Sequence, residues 1–173
     1  MKKKDWSTFI LILCLLSMIA VGGLVIRDMI RTPADWLARG REQMKEQNYR
    51  GALVSLTRAA KGGEVQAAYQ LGLLYDVGDK IPENRNLAIE YMNQAAESGL
   101  KEAQYALAVW TERGYFGEVD VARAVSLYEQ AAEQGHPNAM RSLIVLYGTG
   151  LDGIPANKER QAYWIEKLNM GRK

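Results

Sequence analysis

Residues 87–99 read LAIEYMNQAAESG, and residues 122–135 read ARAVSLYEQAAEQG. Laid over each other on their alanine pairs, Ala95-Ala96 and Ala131-Ala132, the two stretches close on Gly99 and Gly135, 36 residues apart. The same step links Ala59-Ala60 to the first pair, and it extends the glycine series to Gly63 on one side and Gly171 on the other. Ala52, Ala88 and Ala124 keep it, as do Ala67, Ala103 and Ala139, Leu71, Leu107 and Leu143, and Gly78, Gly114 and Gly150. So many coincidences at one period mark an internal repeat, and a period of this length marks a stacked array.

Within each period the apolar spacing is helical. AAYQLGLLY (Ala67 to Tyr75), AQYALAVW (Ala103 to Trp110) and AMRSLIVLY (Ala139 to Tyr147) place apolar residues at i, i+4 and i+7 or i+8, a stripe down one helix face. The unit is therefore a first helix read from these stretches and a second read from the alanine-pair stretches. Alanine at fixed sites has a packing reason: a lone methyl group lets two helices approach closely. Glycine behind each second helix suits the C′ position, where positive φ is cheap only for glycine. Gly78 with Pro82, Gly114 with Gly117, and Gly150 with Pro155 break the chain between the two helices.

Composition narrows the functional classes. The 173 residues are 48% hydrophobic and 24% charged, as in a folded protein. One cysteine excludes a disulfide scaffold and cysteine-rich metal sites, and one histidine argues against a multi-histidine metal site. A net charge of +2 does not suggest nucleic-acid binding. Lys2, Lys3 and Lys4 stand at the extreme N-terminus; from Arg27 onward 19 Lys+Arg balance 19 Asp+Glu. Between these parts, residues 9–26 read FILILCLLSMIAVGGLVI, without a charge. As a helix they would span about 27 Å, close to the hydrocarbon thickness of a bilayer. Trp6 would sit at the interface. The run is longer than a signal-peptide core, so the expectation is a single-pass inner-membrane anchor. The lysines would keep the N-terminus cytoplasmic and send the repeats into the periplasm. The expected organisation is a short cytoplasmic N-terminus at 1–8, a transmembrane helix at 9–26, a linker at 27–32, one repeat unit at 33–66 and further units at 67–173.

The first unit differs from the rest. Thr32-Pro33-Ala34-Asp35 has the form of an N-cap, a proline at N1 and an acid at N3. Trp36, Gly40, Tyr49, Ala52, Leu56 and Ala59 follow in an order that resembles the tetratricopeptide repeat (TPR), except that Arg39 stands where leucine is usual. The later units, carried by Ala67, Leu71-Gly72, Tyr75, Gly78, Pro82, Asn84, Ala88, Tyr91, Ala95-Ala96, Gly99 and their counterparts, resemble the Sel1-like repeat over roughly 64–171. The last unit departs most, with Ala162 and Trp164 late relative to Pro155 and Lys167-Leu168 in place of the alanine pair. Glu159, Arg160, Glu166 and Lys167 suit a terminal cap that meets water. The resemblance implies an all-α fold, an α-solenoid of about four helix-turn-helix repeats wound into a short right-handed superhelix.

Chemistry-bearing patterns are sparse. Gly148-Thr149-Gly150-Leu151-Asp152-Gly153 spells GxGxxG, but it follows a helix, whereas a dinucleotide site needs a strand before it. His136 precedes Pro137 in a turn between units, with no nucleophile placed beside it by any motif. Acid pairs such as Glu129/Glu133 and Asp76/Asp79 read as solvated helix surface. No cofactor, small-molecule substrate, nucleic acid or catalytic set is expected. Tyr75, Tyr91, Tyr128 and Tyr147 fall on repeat core positions. Tyr69 and Tyr105 share another position, matched by Arg141, on the stripe that carries Gln70, Leu73 and Val109. In the superhelices the chain resembles, that stripe lines the concave surface. Tyr69, Gln70, Leu73, Tyr105, Val109 and Arg141 are accordingly the expected partner-binding residues; packing against the next unit is the alternative for the tyrosines. The partner would be another protein. The resemblance admits a component of a membrane complex, held by a scaffold or adaptor, or a toxic effector neutralised by an immunity protein.

Overall fold

The computed structural model describes residues 31–171 apart from 79, 116 and 152. The proposed anchor, with Trp6 and Cys14, lies outside the described residues, as do Asp79 of one acid pair and Asp152 of the GxGxxG pattern. Eight α-helices occupy the described residues: α1 (Pro33–Lys45), α2 (Tyr49–Lys61), α3 (Val65–Val77), α4 (Arg85–Glu97), α5 (Lys101–Glu112), α6 (Val121–Glu133), α7 (Pro137–Thr149) and α8 (Lys158–Met170). No strand occurs among them, only an isolated bridge between Leu151 and Ile154. None of these helices is long and apolar enough to cross a membrane.

Local chemistry sets the helix ends. Thr32 caps α1 in a closed box: the Asp35 N–H donates to Thr32 Oγ1 at 3.2 Å, and the Thr32 N–H donates to Asp35 Oδ2 at 2.8 Å. These bonds hold the Asp35 carboxyl below the usual carboxylate range. Asn48, Asn84 and Asp120 cap α2, α4 and α6 at one repeat position, and Asn157, one residue later in register, caps α8. Gly63, Gly99 and Gly135 have φ of 89°, 85° and 80°, and a Cβ there would meet nothing within 4 Å. Backbone conformation, not space, demands glycine at these three. Gly171, at the same step, has φ −73° and is itself the C-cap of α8.

The helices pack as hairpins, α1 with α2 through α7 with α8, and each hairpin stacks on the next in chain order. The repeating alanines lie where the helices meet. Ala52, Ala88 and Ala124 are fully buried, as are Ala59, Ala95 and Ala131, and Ala67, Ala103 and Ala139. A second series holds the large side chains: Leu56, Met92, Tyr128 and Trp164, each 36 residues from the last, are all at most 1% exposed. Gly40 faces the first of them and Gly72 the second. Trp164 thus keeps the repeat register even though its neighbours do not.

Candidate protein-binding face

The first helices of the four units, α1, α3, α5 and α7, form one row. The repeat step puts Leu73, Val109 and Val145 in register along it, with Gln70, Ala106 and Ser142 one turn back and Val77, Arg113 and Thr149 one turn on. Val77 and Val145 are 65% and 61% exposed. Between α1 and α3 lies a hollow of about 290 Å³ lined by Arg41, Met44, Gln70, Leu73, Leu74 and Val77. It is mainly apolar, with a cationic side chain at its rim. A larger hollow of about 460 Å³ lies under the 114–120 loop, between Ile89, Trp110 and Arg123.

Of the expected binding residues, Gln70 and Leu73 meet in the first hollow, while Val109 is half-buried on the next helix of the row. Tyr69 is half-buried against the core, and burial, with the nearby Glu102 carboxylate, raises its hydroxyl pKa. Tyr105 stacks on the His136 ring at 4.5 Å between centroids and leans on Tyr128 at 5.8 Å. Part of its ring is therefore taken up by the following unit. Arg141 is exposed and donates to Asn138 Oδ1 at 2.6 Å. The two tyrosines thus serve as walls of the face, whereas Arg141, Val145 and Val77 are open upon it.

Three residues have roles that their spacing concealed. His136 is the N-cap of α7, its Nδ1 accepting the Ala139 N–H at 3.2 Å. Burial, against the opposing pull of Glu102, lowers its pKa. Glu129 and Glu133 are not merely solvated. Tyr147 donates to Glu129 at 2.8 Å, Arg160 pairs with the same oxygen at 2.7 Å, and Tyr163 donates to Glu133 at 2.9 Å. These bonds tie α7 and α8 to α6, and burial together with the Glu129 bond pushes the Tyr147 hydroxyl up to about 12. Arg160 and Lys167, expected to cap the end in water, are exposed there and also reach back toward these two glutamates. A tyrosine 18 or 30 residues from a glutamate is no local signal, so only the repeat register could have exposed the pairing. The Asp76 carboxyl is raised by burial, with Glu83 adding to it.

The alanine pairs also have a polar use. Gln94 Nε2 donates to the Ala60 carbonyl at 3.3 Å, and the buried Gln104 donates to the Ala96 carbonyl at 3.2 Å. Gln134 completes the set by donating to Gln104 Oε1 at 2.8 Å. A buried amide is thereby satisfied at the seam between units. Among the described residues, no group of three or more His, Cys, Asp or Glu could hold a metal. Gly150 follows α7 with φ 70° and precedes an irregular loop, so the glycine pattern there has no strand–turn–helix context. What the row offers is an exposed, mixed apolar and cationic surface suited to contact.

The model of the Sel1 repeat matches residues 65–100, 101–136 and 139–168, more than half of the chain. A Sel1 repeat protein from Oxalobacter formigenes is 31% identical over 79% of this chain and 56% of its own, with a TM-score of 0.69. A protective antigen with an SLR fold from uropathogenic Escherichia coli is 20% identical over 85% of this chain and 40% of its own, with a TM-score of 0.53. An immunity protein from Pseudomonas aeruginosa is 22% identical over 68% of this chain and 44% of its own, with a TM-score of 0.54. The last two likenesses concern the fold alone. The chain spans about half the length of these structures. A comparison with curated proteins finds no match.

Proposed function

The chain belongs to the Sel1 repeat family, whose repeats bind other proteins, and on that premise we propose that it is a scaffold or adaptor anchored in the bacterial inner membrane. Residues 9–26 span the bilayer, and the repeats face the periplasm. The exposed row of first helices grips a segment of another envelope protein. The observation that carries the reading is that row: Val77 and Val145 are open while every alanine seam behind them is closed. A stiff preformed surface loses little conformational entropy on binding. Anchoring confines the encounter to the membrane surface and raises the effective concentration of a membrane partner without new contacts.

The test is crosslinking and affinity purification of the intact protein from native membranes. Replacing Val77 and Val145 with Asp and Arg141 with Ala changes exposed side chains only, so the fold should survive and the captured partner should be lost. An unchanged yield would rule out this face. A second reading, a periplasmic immunity protein against a secreted toxic effector, draws support from the fold shared with the Pseudomonas aeruginosa immunity protein. It differs in outcome: deletion would leave cells sensitive to one effector, and the purified protein would abolish that effector's activity. A scaffold would instead co-purify with membrane components and leave no toxin sensitivity on deletion.

A further inference from the structure

From Arg27 onward the chain carries as many acids as bases, yet the row of first helices does not. Gly40 faces Leu56 and Gly72 faces Met92, so α1 matches α3 at a step of 32 residues. In that register Arg41 stands level with Leu73, Val109 and Val145, and Lys45 with Val77, Arg113 and Thr149. Arg141 lies one turn before Val145 on α7. The acid on the same stripe is Glu102, in the first turn of α5. Eleven residues separate it from Arg113, about 16 Å along the helix and beyond the roughly 8 Å over which exposed charges act in physiological salt. Its carboxylate acts instead on Tyr69 and His136.

Lys45 is paired with Glu42 at 3.0 Å. Arg41, Arg113 and Arg141 are exposed, and no carboxylate among the described residues forms an ion pair with them. Arg141 donates one N–H to a neutral amide, that of Asn138, and a guanidinium has four more. Each of the three cations has an apolar neighbour. Arg41 rims the hollow that Met44, Leu73, Leu74 and Val77 line. Arg113 follows Val109 by one turn, and Arg141 precedes Val145 by one turn, which puts both pairs on one helix face. An apolar side chain bound at any of these places brings its own flanking residues to a guanidinium. There a carboxylate gains charge-assisted hydrogen bonds, whereas a lysine is repelled.

We infer that the row takes an acidic segment of its protein partner, in which apolar side chains are flanked by aspartate or glutamate. The apolar groups enter the hollow between α1 and α3 and rest on Val109 and Val145; the carboxylates meet Arg41, Arg113 and Arg141. The inference rests on the reading of this row as the binding face and adds the chemistry of what binds. Each exposed ion pair strengthens binding by up to about fivefold.

The experiment uses the full chain in a neutral detergent and two fluorescent peptides of equal length and equal leucine content. Aspartates flank the leucines in one peptide and lysines in the other. Fluorescence anisotropy should show the acidic peptide binding at least tenfold more tightly, with the preference shrinking as salt is raised. Arg41→Gln with Arg141→Gln should weaken the acidic peptide about five- to twentyfold without moving the thermal melt. Arg41→Glu with Arg141→Glu should shift the preference toward the basic peptide, which loss of a merely structural contact would not do. Equal binding of the two peptides, binding of neither, or an acidic peptide indifferent to the arginine variants would overturn the inference. Capture from native membranes separates its failure from that of the face. A partner lost with Val77→Asp and Val145→Asp but kept with the two glutamine variants removes only the acidic segment, whereas a partner kept in both removes the face as well.

Discussion

Gly40 and Gly72 occupy matching sites on α1 and α3, yet replacing each with alanine should have different consequences. At Gly40 a Cβ would stand 2.7 Å from Leu56 Cδ2 and 2.8 Å from its Cγ. Leu56 is completely buried, and Cγ is a branch point that cannot swing aside. Overpacking of this kind costs about 1–3 kcal/mol. Alanine in a helix interior returns about 1 kcal/mol relative to glycine. With the clash at its upper range, Gly40→Ala should destabilise by about 1–2 kcal/mol, a fall in Tm of roughly 2–8 °C. At Gly72 the nearest atoms are Met92 Cε at 3.1 Å, then the Ala88 carbonyl oxygen and the Met92 nitrogen at 3.3 Å. The methionine methyl is the far end of a flexible chain, and the backbone atoms need give only tenths of an ångström. Gly72→Ala should therefore lie near zero, as befits a position that is already alanine in the next unit, at Ala108. Thermal and urea melts followed by circular dichroism measure both. A Gly40→Ala chain as stable as the wild type, or a larger loss at Gly72, would refute the reasoning. A double-mutant cycle sharpens it, because Leu56→Ala should cost less in the Gly40→Ala background than alone.

The alanine seams predict that Ala132→Leu costs about 1–3 kcal/mol through overpacking; an unchanged urea midpoint would remove Ala132 from the interface. Trp164→Ala should cost about 3–5 kcal/mol, because the side chain is 1% exposed; amide hydrogen exchange should rise first in α7 and α8. For His136 the sign is fixed by the lowered pKa. The unfolded chain takes up a proton from about pH 6.5 downward while the folded one, whose Nδ1 caps α7, resists it. Its contribution is therefore complete above that pH and is lost as pH falls through the folded pKa. His136→Asn keeps a capping acceptor but does not titrate, so the stability difference between it and the wild type should change across that interval; a constant difference would show that His136 protonation does not matter to folding.

The helical hairpins were legible in the sequence because they are local and recurrent. A small residue that must recur wherever two helices touch leaves a 36-residue signature, and the glycines with positive φ recur with it. The capping box at Thr32 and Asp35 was legible for the same reason, since both partners lie within one turn. Trp164 lay hidden among substitutions, although the register of Leu56, Met92 and Tyr128 pointed to it. Tyr105 on His136 and Glu129 between Tyr147 and Arg160 were decided only by the tertiary structure. Each depends on how a side chain leaves one helix to meet another tens of residues away, and no short-range pattern records that meeting. By itself the sequence determined that paired helices stack and where they turn, because backbone conformation and close approach restrict residue type locally. Which side chains on the row stay open and which are consumed in packing was left to the stacked helices, because exposure is a property of what a neighbour covers.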